Sequence, residues 1–220
     1  MMPIGPLMKE HRLIERMLNI VDQRLELMKK ENKADIPFID VTVDFIKNYA
    51  DKRHHGKEED ILFGKLDKKE LSAEHRTIMD ELIKEHVVGR NTVKRVVDAK
   101  ERYAGGDKDA LKDIVENVQI LIEFYPKHIE KEDKHFFIPC MDYFTEKEKD
   151  DMLKEGEEFD IKLNQKDHES VVEQFETNPN KENRPQEKQD FSKMPNCQSS
   201  VTAEHDRLKD DDEPCDDGVH

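Results

Sequence analysis

Two histidine–carboxylate elements recur in this 220-residue chain. Lys9-Glu10-His11 returns as Lys84-Glu85-His86, 75 residues later, and His54-His55-Gly56-Lys57-Glu58-Glu59 returns as His128-Ile129-Glu130-Lys131-Glu132-Asp133, 74 residues later. Each half therefore offers one lone histidine and one His-x-x-x-Glu pair. A histidine and a glutamate four apart project from the same face of a helix. Imidazole and carboxylate ligands without thiolate suit iron, manganese or zinc, and argue against a calcium site or a cysteine-rich structural zinc site. A carboxylate can bridge two ions, so paired elements of this kind suit a dinuclear centre.

The His-x-x-x-acid pair alone carries little, because 52 of the 220 residues are acidic and chance gives about two such pairs among ten histidines. The chain has four, starting at His11, His54, His55 and His128. Repetition, a shared face and a shared level carry the argument together, and they require a particular arrangement of helices.

That arrangement is legible in the apolar spacing. Leu7, Ile14, Leu18, Val21, Leu25 and Met28 mark a first helix with His11 on its buried stripe, broken at residues 31–37. Ile46, Ala50, His54, Glu58 and Leu62 mark a second. Ser72 is a candidate cap for a third, striped by His75, Met79, Leu82, His86, Gly89, Val93 and Val97 and stopped at Gly105-Gly106. Leu111, Ile114, Val118, Leu121, Tyr125, His128, Glu132 and His135 mark a fourth. Thr145 with Glu148 reads as a capping box for one further helix, with Met152, Phe159, Leu163, Val171, Val172 and Phe175 available for packing. The expected fold is an all-α, antiparallel up-down-up-down four-helix bundle with an added C-terminal helix, over residues 1–176. Residues 177–220, acidic and poor in apolar side chains, are expected to be a disordered tail.

In antiparallel hairpins, His11 and His54 lie equally far from the first break, and His86 and His128 from Gly105-Gly106. The four imidazoles then share one layer, and the predicted ligand set is His11, His54, Glu58, His86, His128 and Glu132. Four imidazoles and two carboxylates buried together are costly without a cation. His55, about a hundred degrees around the helix from His54, is expected to face a neighbouring helix or water, outside the ligand set. Glu15 is assigned to the surface or a supporting role, because its repeat counterpart is Arg90. His75 lies eleven residues, about 16 Å, from His86 and is read as a polar end of the core. His135, about 10 Å beyond His128, is at most a supporting residue. Pro126 removes a helical bond and is expected to kink the fourth helix beside the site.

Composition narrows the function. Hydrophobic residues are 35% and charged residues 40% of the chain, which suits long amphipathic helices. A formal charge of −15 opposes nucleic-acid phosphates and anionic membrane surfaces as partners. No apolar run is long enough to span a membrane, and MMPIGPLMKEHRL lacks a signal-peptide core, so a cytoplasmic location is expected. Cys140, Cys197 and Cys215 have no paired spacing and receive no role.

EHRLIE, HHGKEEDILF, KEHVVGR and HIEKEDKHFFIP, in this order, resemble the motifs of the hemerythrin-like family, the HHE cation-binding domain. The resemblance implies a non-haem centre of two iron ions that binds O₂, NO or peroxide or takes part in iron and redox handling, with ligands at the same six residues. Zinc and manganese also suit the donors. Oxygen-carrying members use a fifth histidine one turn from the third-helix ligand, where this chain has Leu82 and Arg90. The four-His, two-Glu set is similar to relatives that repair iron centres after nitric oxide or oxidative damage. The rival reading is a helical interaction module with a purely structural metal, such as zinc, and the acidic tail as its partner-binding part, the protein partner being unknown.

Overall fold

Helix α1, Ile4–Glu31, buries Leu7, His11, Ile14, Leu18, Val21, Leu25 and Met28, the stripe expected from their spacing. It stops at Asn32, whose left-handed backbone (φ 50°) turns its N–H back onto the last helical carbonyls. This computed structural model describes residues 2–163 and 167–178.

The second helix begins earlier than its apolar stripe suggests. The Asp35 carboxylate accepts the N–H of Phe38 at 3.2 Å, and Pro37 sits in the first turn, where a missing N–H costs no helical bond. From there α2 runs continuously over residues 36–66. It is α-helical at Ile36–Asp44, π-helical at Phe45–His55 and Glu58–Phe63, and α-helical again at Gly64–Leu66. Helix α3, Ala73–Ala104, opens on Ser72, whose hydroxyl accepts the N–H of His75 at 3.1 Å, and ends at Gly105-Gly106. Gly106 adopts a φ of 104°, which only glycine tolerates readily.

Helix α4, Ala110–Lys131, passes through Pro126 without a change of winding. The change comes later, at a π-helical stretch Glu132–Phe136, before α-helix resumes at Phe137–Cys140. Each helix packs beside the next and α4 returns to α1, forming the expected all-α bundle. The C-terminal addition is two helices, α5 at Glu146–Leu163 and α6 at His168–Thr177, rather than the single helix expected. The Thr145–Glu148 capping box forms reciprocally, and a separate cap at Asp167, bonded to the N–H of Ser170, starts α6 afresh. The expectation of a disordered tail falls, after Asn178, outside the described residues.

The core is divided in two. One apolar cluster includes Ile14, Met17, Phe45, Ile46, Val93, Val118, Tyr125 and Ile129; the other includes Ile4, Leu7, Leu62, Phe63, Leu82, Phe136 and Phe137. Between Leu7 and Leu13 on α1 the buried positions are Glu10 and His11, and between Leu82 and Gly89 on α3 the buried position is His86. The chemistry lies in the layer separating the clusters.

Candidate metal centre

His11, His54, Glu58, His86, His128 and Glu132 all lie in that layer, and each is at most 2% exposed. The structure therefore brings together all six residues selected by spacing. Two overlapping groups result, with ligand atoms mutually within 4.8 Å: His11, His54, Glu58 and Glu132 on the α1–α2 side, and His55, Glu58, His86 and His128 on the α2–α3–α4 side.

The carboxylates are turned one oxygen to each side. Glu58 Oε1 lies 3.1 Å from His54 Nε2 and 3.9 Å from His11 Nε2, while its Oε2 lies 3.3 Å from His86 Nε2. Glu132 mirrors this, with Oε2 at 3.1 Å from His11 Nε2 and Oε1 at 3.3 Å from His128 Nε2 and 3.8 Å from His86 Nε2. None of these approaches has hydrogen-bond geometry, so the four Nε2 atoms and all four carboxylate oxygens are buried without a partner. Each such orphaned group costs about 1–3 kcal/mol. A layer of them would offset much of a domain's net stability of about 5–15 kcal/mol unless something positive occupies the space between. These donors fit a bound cation.

Behind each imidazole stands an acid from the neighbouring helix. Nδ1 of His54 donates to Glu10 at 3.1 Å, Nδ1 of His86 to Glu59 at 2.6 Å, Nδ1 of His128 to Glu85 at 2.8 Å, and Nδ1 of His11 to Asp133 at 2.8 Å. The acids form a closed ring around the bundle: α1 serves α2, α2 serves α3, α3 serves α4, and α4 serves α1. Donation from Nδ1 fixes each ring and leaves the Nε2 lone pair inward, as a metal ligand requires. Outside this ring lies a layer of cations. Lys57 and Arg53 hold Glu10, Arg90 holds Glu59, Lys131 holds Glu85, and Arg12 holds Asp133. Arg53 and Lys57 also reach Asp160 of α5, at 2.9 and 3.0 Å. Glu15, expected at the surface or in a supporting role, pairs near the surface with Arg12 at 3.0 Å.

Charge follows geometry. Burial lowers the His54 pKa, but Glu58 and Glu10 outweigh it and raise it to about 10; burial is likewise outweighed at His86 by Glu132, Glu58 and Glu59, giving about 11. Burial and the facing Glu58 push Glu132 up, yet His128, His11 and His86 hold it at about 2, and Glu58 is also held ionised. In the metal-free chain, protons thus hold the charge that a cation replaces.

His55 faces the neighbouring helix α3 rather than water, and there it falls among the donors. It is 2% exposed, neither ring nitrogen has a hydrogen-bond partner, and its ring stacks on His86 with centroids 3.9 Å apart. Burial and the charge on His86 depress its pKa to about 3, leaving a neutral imidazole with a free lone pair. The π-helical winding explains its position, because i→i+5 turns rotate the chain less per residue and let consecutive histidines both face inward. His75, by contrast, is bonded to the Tyr143 hydroxyl at 2.9 Å, eleven residues before His86 on α3, and His135 is exposed.

The sequence profile of the hemerythrin HHE cation binding domain matches residues 2–140, a span that holds every donor described. No curated protein and no solved structure matches the chain. With the match covering more than half of the chain and the donor layer in place, this protein belongs to the hemerythrin HHE cation-binding family.

Proposed function

We propose that this protein holds two iron ions in the buried layer and binds O₂, NO or peroxide there, serving as a cytoplasmic sensor, scavenger or iron- and redox-handling protein without a nucleic-acid or membrane partner. The observation that carries two ions rather than one is the posture of Glu58 and Glu132, each with one oxygen on either side of the layer. His11 and His54 would serve one ion; His86 and His128, joined by His55, would serve the other. Bound iron supplies a redox change and an open position for a small ligand.

The chain's own residues do the rest. The acid ring orients the imidazoles, the two apolar clusters keep water from the layer, and Glu58 and Glu132 balance charge at its centre. Among the described residues no helix is long and apolar enough to cross a membrane. The net charge of −15 supports the exclusion of nucleic acid.

The reading assigns the metal domain to residues 1–176, with 177–220 as an appendage, so removing 179–220 is expected to leave iron content unchanged. Adding nitric oxide, azide or peroxide to iron-loaded protein should change its visible absorption in a saturable manner. A colourless protein carrying one zinc, indifferent to all three, would support the structural-metal reading instead.

A further inference from the structure

Helix α5 lies beyond the residues that match the family, yet it is closely fitted to the site. A Cβ on Gly56 would come within 2.8 Å of Phe159 Cζ, so the glycine beside the donors admits the α5 aromatic ring. Asp160 pairs with both Arg53 and Lys57. Further along, Lys65 meets Glu155 at 2.8 Å and Lys69 meets Glu148 at 2.6 Å.

Beneath α5 this docking leaves a cavity of about 110 Å³. Its walls are mainly apolar: Ile4 and Leu7 from α1, Ile61 and Leu62 from α2, Met152 and Leu153 from α5. The charged groups at its edge are Lys57 and Asp160, paired with each other, and Glu157. Leu7 precedes His11 by one turn and Leu62 follows Glu58 by one turn, so this part of the cavity wall stands one turn from two donors. That wall adjoins the His11–His54 group, which has two imidazoles where the opposite group has three.

We propose that the cavity under α5 is a binding site for a small uncharged molecule of diatomic size, held there next to the donor layer before it passes Leu7 and Leu62. A mainly apolar lining around a space of this size takes up small apolar gases, and this one is too small for a drug-sized organic ligand. The competing route is a cleft of about 100 Å³ that ends on His55, lined by Lys47, Asp51 and Arg90 beside Ile46, Gly89, Val93 and Tyr125. Charged side chains make up a larger share of that lining than of the one beneath α5, which favours the latter for an uncharged gas.

Gly156 supplies the test. A Cβ there lies 3.9 Å from Lys57 Cδ, so a methyl fits, whereas a leucine fills the cavity while improving the helix. Xenon is the probe for the first arm, in crystals under pressure or by ¹²⁹Xe NMR on metal-free protein. The expected result is xenon beneath α5 in the parent and Gly156→Ala, and none in Gly156→Leu. The second arm rests on the metal reading above: nitric oxide association with iron-loaded protein should slow about tenfold or more in Gly156→Leu and stay within about twofold in Gly156→Ala, at equal iron content. Absence of xenon from the parent cavity overturns the proposal. So does an unchanged nitric oxide rate in Gly156→Leu, or a rate slowed only by Gly89→Leu in the other cleft. Failure to bind iron sinks the metal reading while the xenon arm still decides whether the cavity binds gas.

Discussion

Glu10 is the sequence neighbour of His11, yet its carboxylate accepts the Nδ1 proton of His54, one helix away, at 3.1 Å. Glu85, its repeat counterpart, bypasses His86 in the same way and serves His128 at 2.8 Å. The two halves of the chain thus carry the same device, in which an acid on the first helix of each hairpin orients the histidine on the second.

Glu10→Gln and Glu85→Gln should therefore weaken metal binding to a similar extent, by about 10- to 100-fold, while the helical signal stays intact. Competition with a chelator of known affinity measures this. Glu10→Ala should also lower stability, because Lys57, 5% exposed, would lose one of its partners in the interior. A large effect of Glu10→Gln with none from Glu85→Gln would break the equivalence of the halves.

The bridging posture of Glu58 and Glu132 ranks the ligands. Glu58→Ala or Glu132→Ala removes a carboxylate that faces both sides of the layer, and with it the negative charge that would lie between the two proposed cations, where low-dielectric repulsion is strongest. Each should cost more metal than His11→Ala, which strips one side alone. Elemental analysis under one loading protocol checks the order.

His55→Ala should lower occupancy on the α2–α3–α4 side by about tenfold or more in affinity, leaving the His11–His54 side filled. His75→Ala, far along the bundle and bonded to Tyr143, should change nothing. Equal metal content in the parent and His55→Ala across a chelator series would return His55 to the role its spacing first suggested.

That spacing did hold a clue. Ile46, Ala50, His54, Glu58 and Leu62 proceed in steps of four and all are buried. In an α-helix each such step overshoots a full turn by about 40°, so the stripe would drift to nearly the opposite face over its length. Keeping it inside requires wider turns, and the π-helical stretches supply them. Reading the stripe as ordinary α-helix put His54 and Glu58 in the buried layer, where they lie, and set His55 toward a neighbouring helix or water. The hairpin symmetry, by contrast, was legible because equal distances from a turn translate directly into equal height. The acid ring was not, since Glu10, Glu59, Glu85 and Asp133 sit beside ligands in the chain but serve ligands on other helices. The split of the C-terminal addition into α5 and α6 was hidden because the apolar residues of both could be strung along one helix.

Alkaline pH should destabilise the metal-free chain selectively. His54 and His86 titrate near 10 and 11 when folded against 6.5 when unfolded, so the stability they contribute is complete below about pH 6.5 and disappears as pH climbs through the folded values. Metal binding displaces those protons, so affinity should strengthen over the same range and the loaded protein should not share the decline. Thermal unfolding of both forms between pH 6.5 and 10 provides the comparison; parallel curves would show that the imidazolium–carboxylate contacts do not govern the metal-free layer.

The central claim is that two ions share the layer through Glu58 and Glu132, and iron per chain tests it most directly. Protein loaded anaerobically with ferrous iron and freed of excess should carry two irons per chain, both lost together from Glu58→Ala and Glu132→Ala. One iron per chain in the parent, or two retained in either glutamate variant, would contradict the account.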